Sequence, residues 1–214
     1  YSSDGNYIIT TGSDSSIIIW NADRRTIFRT ISGLQGRPNI AVFTPGNDFV
    51  LSGGRDNKVT KWDLGTMPAS IVETFEGYSG PVKSIDISPD GKYMATGSAG
   101  GTIKIWDLPG ANLVFDLKGP DRNKDINSVA FSPDGTRLAT AARDSLAKIW
   151  DAATGQELLT LAGHSDFGAL KIPDREMIVQ LGDLLHHRLA GLFGRLLQIS
   201  RDRHDLGILS QIVL

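Results

Sequence analysis

No cysteine occurs in the 214 residues. That excludes a disulfide frame, a thiolate nucleophile and any cysteine-ligated metal. It fits a reducing compartment, and a cytoplasmic location is the expectation. Histidine is scarce as well: there are four, and none precedes His164. Most of the chain therefore has no imidazole to act as a general base or to bind a metal. Charge of one sign is also missing, because 22 Lys and Arg face 24 Asp and Glu for a formal charge of −2. Dedicated nucleic-acid or anionic-membrane binders usually carry a basic stripe, and none is visible, so neither partner is expected. No run of about 18 apolar residues exists, nor a signal-peptide pattern. A Gly-x-Ser-x-Gly elbow and a His-Glu-x-x-His pair are both missing. The glycine-rich stretch from Gly97 to Thr102 joins two strand-like runs instead of opening a helix, so it is a turn and not a phosphate cradle. Carboxylates such as Asp90, Asp134 and Asp144 sit at turn positions that account for them. No catalysis, metal or cofactor is expected.

What is present is a period. The four tryptophans are Trp20, Trp62, Trp106 and Trp150, at spacings of 42, 44 and 44 residues. Each closes a β-branched or apolar run: Ile17 to Trp20, Val59 to Trp62, Ile103 to Trp106 and Ala147 to Trp150. Asn21, Asp63, Asp107 and Asp151 follow them. Six residues before each Trp stand Asp14, Asp56, Gly100 and Asp144. Ten residues before stand Thr10, Ser52, Thr96 and Thr140. A buried indole N–H only donates and needs an acceptor. A hydroxyl on the neighbouring antiparallel strand can supply one, and an Asp can hold the turn between the strands. Ser88-Pro89-Asp90-Gly91 and Ser132-Pro133-Asp134-Gly135 are strong type I turns, with Pro presetting φ and Gly taking positive φ. Tyr1 to Gly5 and Phe43 to Asn47 are variants of it. Alternation is clear over Val82 to Ile87 and Ile126 to Phe131. Short strands with such turns every 8–12 residues predict an all-β chain.

A period of 42–44, Ser-Pro-Asp-Gly turns, Trp-Asp endings and the pair Gly163-His164 together resemble the WD-repeat family of β-propellers. The resemblance covers about residues 1–166. It implies one four-stranded blade per unit, with blades stacked radially, and a Trp, Ser/Thr, Asp, His tetrad in each. The first three roles fall on Trp20, Thr10 and Asp14, on Trp62, Ser52 and Asp56, and on Trp150, Thr140 and Asp144. In the third unit Thr96 and Trp106 lack the acid, since Gly100 occupies its place. The histidine position departs more often. Leu34 follows Gly33, Tyr78 follows Gly77, and the connection from Gly119 to Lys124 has no histidine. His164 alone matches, and it would open a fifth unit.

The expected fold is therefore all-β: a partial WD-repeat propeller of about three and a half to four four-stranded blades. Its units run at about 1–32, 33–76, 77–118 and 119–162, and the first lacks most of its innermost strand. Two readings follow for the whole. One is a fragment of a longer array; the other is a four-blade ring in which Phe167 to Ile172 supplies the missing strand.

After Asp166 the pattern stops. Residues 167–214 form a leucine-rich, non-repeat tail. Leu181, Leu184, Leu185, Leu189, Leu192, Phe193 and Leu196 recur at helical spacing, and Gly182, Gly191 and Gly194 weaken that helix. A helical cap or linker and a change of reading frame both account for the break. A membrane-surface helix does not, because the polar face mixes Asp with Arg. His186 and His187 do not make a metal site, since neighbours on a helix diverge by about 100° and no third ligand is placed.

Function is thus expected at the surface, as a non-catalytic scaffold for protein partners, part of a longer multidomain protein. In WD-repeat proteins the rims bind peptides and partner domains. The resemblance puts the residue before each tetrad acid at one rim, here Ser13, Arg55, Ala99 and Arg143. The loop entering each blade adds Arg37, Tyr78, Asp125 and Phe167. Arg and aromatic side chains are favoured at binding hot spots, and Arg55 with Arg143 points to acidic or phosphorylated segments. A propeller hydrolase or lactonase would need acids and histidines converging on the channel, against which the missing histidines count. A purely structural array positioning a neighbouring kinase or NTPase domain is the other alternative.

Overall fold

The computed structural model describes residues 1–117, 119 and 124–162, which contain fifteen strands and no helix. The expectations for His164, for Phe167 and for a helical tail over residues 167–214 lie outside the described residues.

The strands form four antiparallel sheets in chain order. The first has three strands, β1 (Tyr7–Thr11), β2 (Ile17–Asn21) and β3 (Thr26–Ile31). The second has four: β4 (Pro38–Phe43), β5 (Phe49–Gly54), β6 (Val59–Asp63) and β7 (Ser70–Phe75). The third repeats this with β8 (Val82–Ile87), β9 (Tyr93–Ser98), β10 (Ile103–Asp107) and β11 (Asn112–Leu117). The fourth does so with β12 (Ile126–Phe131), β13 (Arg137–Ala142), β14 (Leu146–Asp151) and β15 (Glu157–Ala162). Trp20 lies on β2 opposite Ile8 of β1, as Trp62 on β6 lies opposite Val50 of β5. The first sheet thus has no counterpart of β4, β8 and β12, the innermost strand expected to be mostly missing.

Turn chemistry sets the strand ends. In the Ser-Pro-Asp-Gly turns the serine hydroxyl donates to the aspartate, Ser88 Oγ to Asp90 Oδ1 at 2.6 Å and Ser132 Oγ to Asp134 Oδ1. The same hydroxyls accept Tyr93 N–H and Arg137 N–H at the start of the next strand. Gly91 and Gly135 take φ of 74° and 72°, which L side chains adopt only with strain. Ser2, Asp4 and Gly5 repeat the arrangement. The residue after each Trp caps the following turn: Asn21 accepts Arg24 N–H, Asp63 accepts Gly65 N–H, Asp107 accepts Gly110 N–H and Asp151 accepts Thr154 N–H.

Two bulges recur in each complete sheet. In the outer pair the register slips beside the Trp, leaving Phe28, Val72, Val114 and Leu158 unpaired. In the inner pair Asn39, Lys83 and Asn127 are the extra residues. The alternation over Val82 to Ile87 is therefore broken at Lys83. A bulge re-aims the extra side chain, and these three head toward the adjoining sheet or its partners, as described below.

The core lies between sheets. Ile17, Ile19 and Ile31 pack on Val50 and Trp62. Leu51, Val59 and Phe75 pack on Val82, Met94 and Trp106. Ile103, Ile105 and Leu117 pack on Ile126, Leu138 and Trp150. Burying each such side chain is worth roughly 1.5–3 kcal/mol, so face-to-face stacking is the main glue. It tolerates the loss of a polar residue from any one blade.

Candidate functional site

Three of the four indoles donate to the hydroxyl ten residues upstream. Trp20 Nε1 reaches Thr10 Oγ1 at 2.8 Å, Trp62 Nε1 reaches Ser52 Oγ at 2.8 Å, and Trp150 Nε1 reaches Thr140 Oγ1 at 2.9 Å. Asp14, Asp56 and Asp144 each accept the backbone N–H two residues on, from Ser16, Lys58 and Leu146. The residue between takes a left-handed φ at Ser15, Asn57 and Ser145. These acids therefore hold their turns, which explains a polar residue there without catalysis.

The third sheet departs from this scheme. Trp106 Nε1 donates to the Tyr78 phenol at 2.8 Å, while Thr96 Oγ1 turns to the carbonyl of Lys104 at 3.2 Å. Thr96 and Trp106 are not bonded to each other. Tyr78, expected at an exposed rim, is instead buried against Trp106 and Phe75. The reason is size and polarity: a phenol fills the place the family gives to histidine and presents an acceptor to the indole. Burial pushes the phenol above the ordinary tyrosine range, so it stays neutral. Lys104, also buried, reaches Asp116 Oδ2 at 2.7 Å and lies over the Trp106 ring.

In the second sheet the corresponding residue is Leu34, which makes no polar contact and borders a pocket of about 60 Å³. Ser52, Asp56, Thr60 and Trp62 line the same pocket.

Arg37, Arg55, Ala99, Asp125 and Arg143 lie at matching loop and turn positions of their sheets. A repeated backbone bond ties the turn before β6, β10 or β14 to the loop entering its blade. Arg55 N–H donates to Arg37 O, Ala99 N–H to Pro81 O, and Arg143 N–H to Asp125 O, all at 2.8–3.0 Å. Arg37 therefore stands beside Arg55, and Asp125 beside Arg143. Arg37 and Arg55 are both exposed. Among the described residues no acid lies within ion-pair distance of either. Arg143 differs: its Nη1 is 3.6 Å from Asp125 Oδ2. Asp125 is also held by Lys83 Nζ at 2.7 Å and accepts Gly100 N–H at 3.4 Å. The lysine hydrogen bond, above all, keeps the Asp125 carboxyl below its usual range. Asp125 is thus a crossbrace between sheets three and four, not an open rim contact.

Sequence reasoning missed Lys83, which reaches Asp125 and Asn127 from the third sheet. It also missed Asn39, whose Nδ2 donates to Val82 O at 2.8 Å. The spacing of 44 residues among Asn39, Lys83 and Asn127 was the available signal.

The WD domain, G-beta repeat family matches residues 1–21, 29–63, 69–107 and 111–151, more than half of the chain. The chain belongs to the WD-repeat family. Each matched segment carries one of the tryptophans, and the last three end at the Asp that caps the turn after it. No curated protein matches the chain. WD repeats in general mediate interactions between proteins, and the four sheets give this chain the architecture for that role.

Proposed function

We propose that the chain is a non-catalytic scaffold that captures acidic or phosphorylated protein segments at the end of its sheets marked by Arg37 and Arg55. The observation that carries this reading is their pairing by the Arg55 N–H to Arg37 carbonyl bond, with both side chains exposed and no acid among the described residues within ion-pair distance of either. Two adjacent guanidiniums offer planar forks suited to carboxylate or phosphate oxygens. Lys83 and Arg143 add positive charge at the third and fourth sheets, partly offset by Asp125. The sequence-based pair of Arg55 with Arg143 is thereby shifted toward Arg55 with Arg37. A reducing, cytoplasmic setting suits a chain without cysteine.

The test is binding of the full chain to arrays of acidic and phosphorylated peptides matched with neutral controls. Replacing Arg37 and Arg55 together by Ala should weaken the acidic binders at least tenfold, on the order of 1.4 kcal/mol. Equal binding by the double variant would refute the reading. Neutral peptides bound as well as acidic ones would do the same.

A further inference from the structure

We infer that the pocket beside Leu34 binds a primary ammonium group, the tip of a lysine side chain or a small free amine. This goes beyond the capture of acidic segments and does not depend on it.

The neighbouring sheets carry such a group of their own. Opposite the hydroxyl of each sheet stands Thr60 against Ser52, Lys104 against Thr96 and Lys148 against Thr140. Lys104 Nζ lies 5.9 Å from the centre of the Trp106 ring, and Lys148 Nζ lies 5.6 Å from that of Trp150. A cation within about 6 Å of an indole centre is attracted by the negative face of the ring. Each ammonium also reaches an acid on the outer strand, Asp116 or Glu157, at 2.7 Å. Thr60 is too short to do either. Among the described residues no cation lies over Trp62.

The space left open is the space the lysine fills next door. Gly33 and Gly77 stand one period apart, each just before its sheet. A methyl group on Gly77 would lie 3.8 Å from Lys104 Nζ, whereas one on Gly33 would meet nothing within 4 Å. Tyr78 then closes the third sheet's site by bonding Trp106. Leu34, its counterpart, leaves a pocket of about 60 Å³. One water needs roughly 10–15 Å³ of such space, so several atoms of an alkylammonium fit.

The walls suit that charge. Asp56 lines the pocket, and among the described residues its carboxylate accepts only Lys58 N–H, at 3.4 Å. The Lys58 ammonium goes to Glu76 instead, at 2.7 Å. The two sheets are reciprocal here: the third has the cation and Gly100 in place of the acid, while the second has the acid and no cation. Thr60 is nine-tenths buried, and its hydroxyl has no hydrogen-bond partner among the described residues. An ammonium brings three hydrogens to donate, and the oxygens of Asp56, Thr60 and Ser52 line the site. Leu34, Pro38 and Trp62 supply apolar wall for an alkyl stem. Neither Arg37 nor Arg55 lines the pocket.

The experiment is titration of the full chain with propylammonium chloride, followed by the indole N–H signals in nitrogen–proton correlation NMR. The Trp62 signal, assigned by its loss in Trp62→Phe, should shift saturably. Those of Trp106 and Trp150, whose place is already taken, should stay put. The uncharged analogue n-propanol should move none of them. Asp56→Asn keeps an acceptor for Lys58 N–H and should weaken binding about fivefold. Thr60→Lys should supply the ammonium from within, abolish the shift and raise the urea midpoint. Leu34→Tyr, which copies the third sheet, replaces it if that variant misfolds. A Gly-Lys-Gly peptide capped at both ends separates the sources: tighter binding than propylammonium assigns the site to a partner's lysine, equal or weaker binding to a free amine. No saturable shift at Trp62 overturns the inference. So does an equal response to n-propanol, or binding undiminished in Asp56→Asn or in the filled pocket.

Discussion

Tyr78 accepts the indole N–H of Trp106 at 2.8 Å, so in the third sheet a phenol does what a serine or threonine hydroxyl does in the others. Tyr78→Phe keeps the ring and removes the acceptor. Leaving a buried N–H unsatisfied costs about 1–3 kcal/mol, and urea unfolding should report that loss. Tyr78→Phe should be worse tolerated than Thr96→Val, because the Tyr78 oxygen and not Thr96 Oγ1 accepts the indole hydrogen, and Thr96 only donates to the Lys104 carbonyl. Burial raises the phenol's folded-state pKa. Its contribution is therefore complete below the unfolded tyrosine value near pH ~10 and is lost as pH rises through the folded value. The wild type should destabilise in alkali more steeply than the Phe variant.

Leu34→His should stabilise the second sheet. The replacement brings a polar ring to the pocket of about 60 Å³ bordered by Ser52, Asp56 and Trp62. One new hydrogen bond is worth about 1 kcal/mol, seen as a higher denaturation midpoint. The gain should shrink in Asp56→Ala, which removes the acid able to orient the ring. An equal gain in both backgrounds would mean the imidazole acts by packing alone.

Asp125→Asn should tighten the binding of acidic peptides several-fold while Arg37→Ala weakens it. The change removes the negative charge that occupies Lys83 and Arg143. Stability should fall little, since the pairs are partly exposed and such pairs contribute about 0–1 kcal/mol. Peptide titration at low and high salt reads both effects, and salt should narrow the difference.

Stability should be level from pH ~6 to ~8 and fall below pH ~4. The serine hydroxyls of Ser88 and Ser132, first among several donors, hold the carboxyls of Asp90 and Asp134 below their usual range. A carboxyl depressed in this way stabilises fully above its unfolded value and stops doing so as pH falls through its folded one. Ser88→Ala with Ser132→Ala should flatten the acid limb, as read by urea midpoints across that range.

Much of the fold was legible because period and turn chemistry are local. Trp20, Trp62, Trp106 and Trp150 counted the sheets, and the Ser-Pro-Asp-Gly turns placed strand ends at Ser88 and Ser132. The rim was harder to read. Tyr78 looks exposed when taken as a loop residue, and only the packing of Phe75 and Trp106 around it shows that it is core. Arg143 and Arg55 occupy the same position in their units. What separates them is the opposite residue, Asp125 in one case and Arg37 in the other, and that neighbour comes from a backbone bond spanning a whole hairpin. Lys83 was hidden by its bulge, which spoils the two-residue alternation that marks a strand's inner and outer sides.

The bulges beside the tryptophans have a consequence for solubility. β3, β7, β11 and β15 are all edge strands, and they expose Ile27, Phe28, Ile71, Val72, Leu113, Val114 and Leu158. A straight edge of that composition is a template for fibril growth. One extra residue at mid-strand bends it and adds twist, so a foreign strand cannot follow the edge in step along its length. Phe28, Val72, Val114 and Leu158 thus act as gatekeepers by position, not by charge. Deleting any one of them would straighten an edge and invite the chain to aggregate.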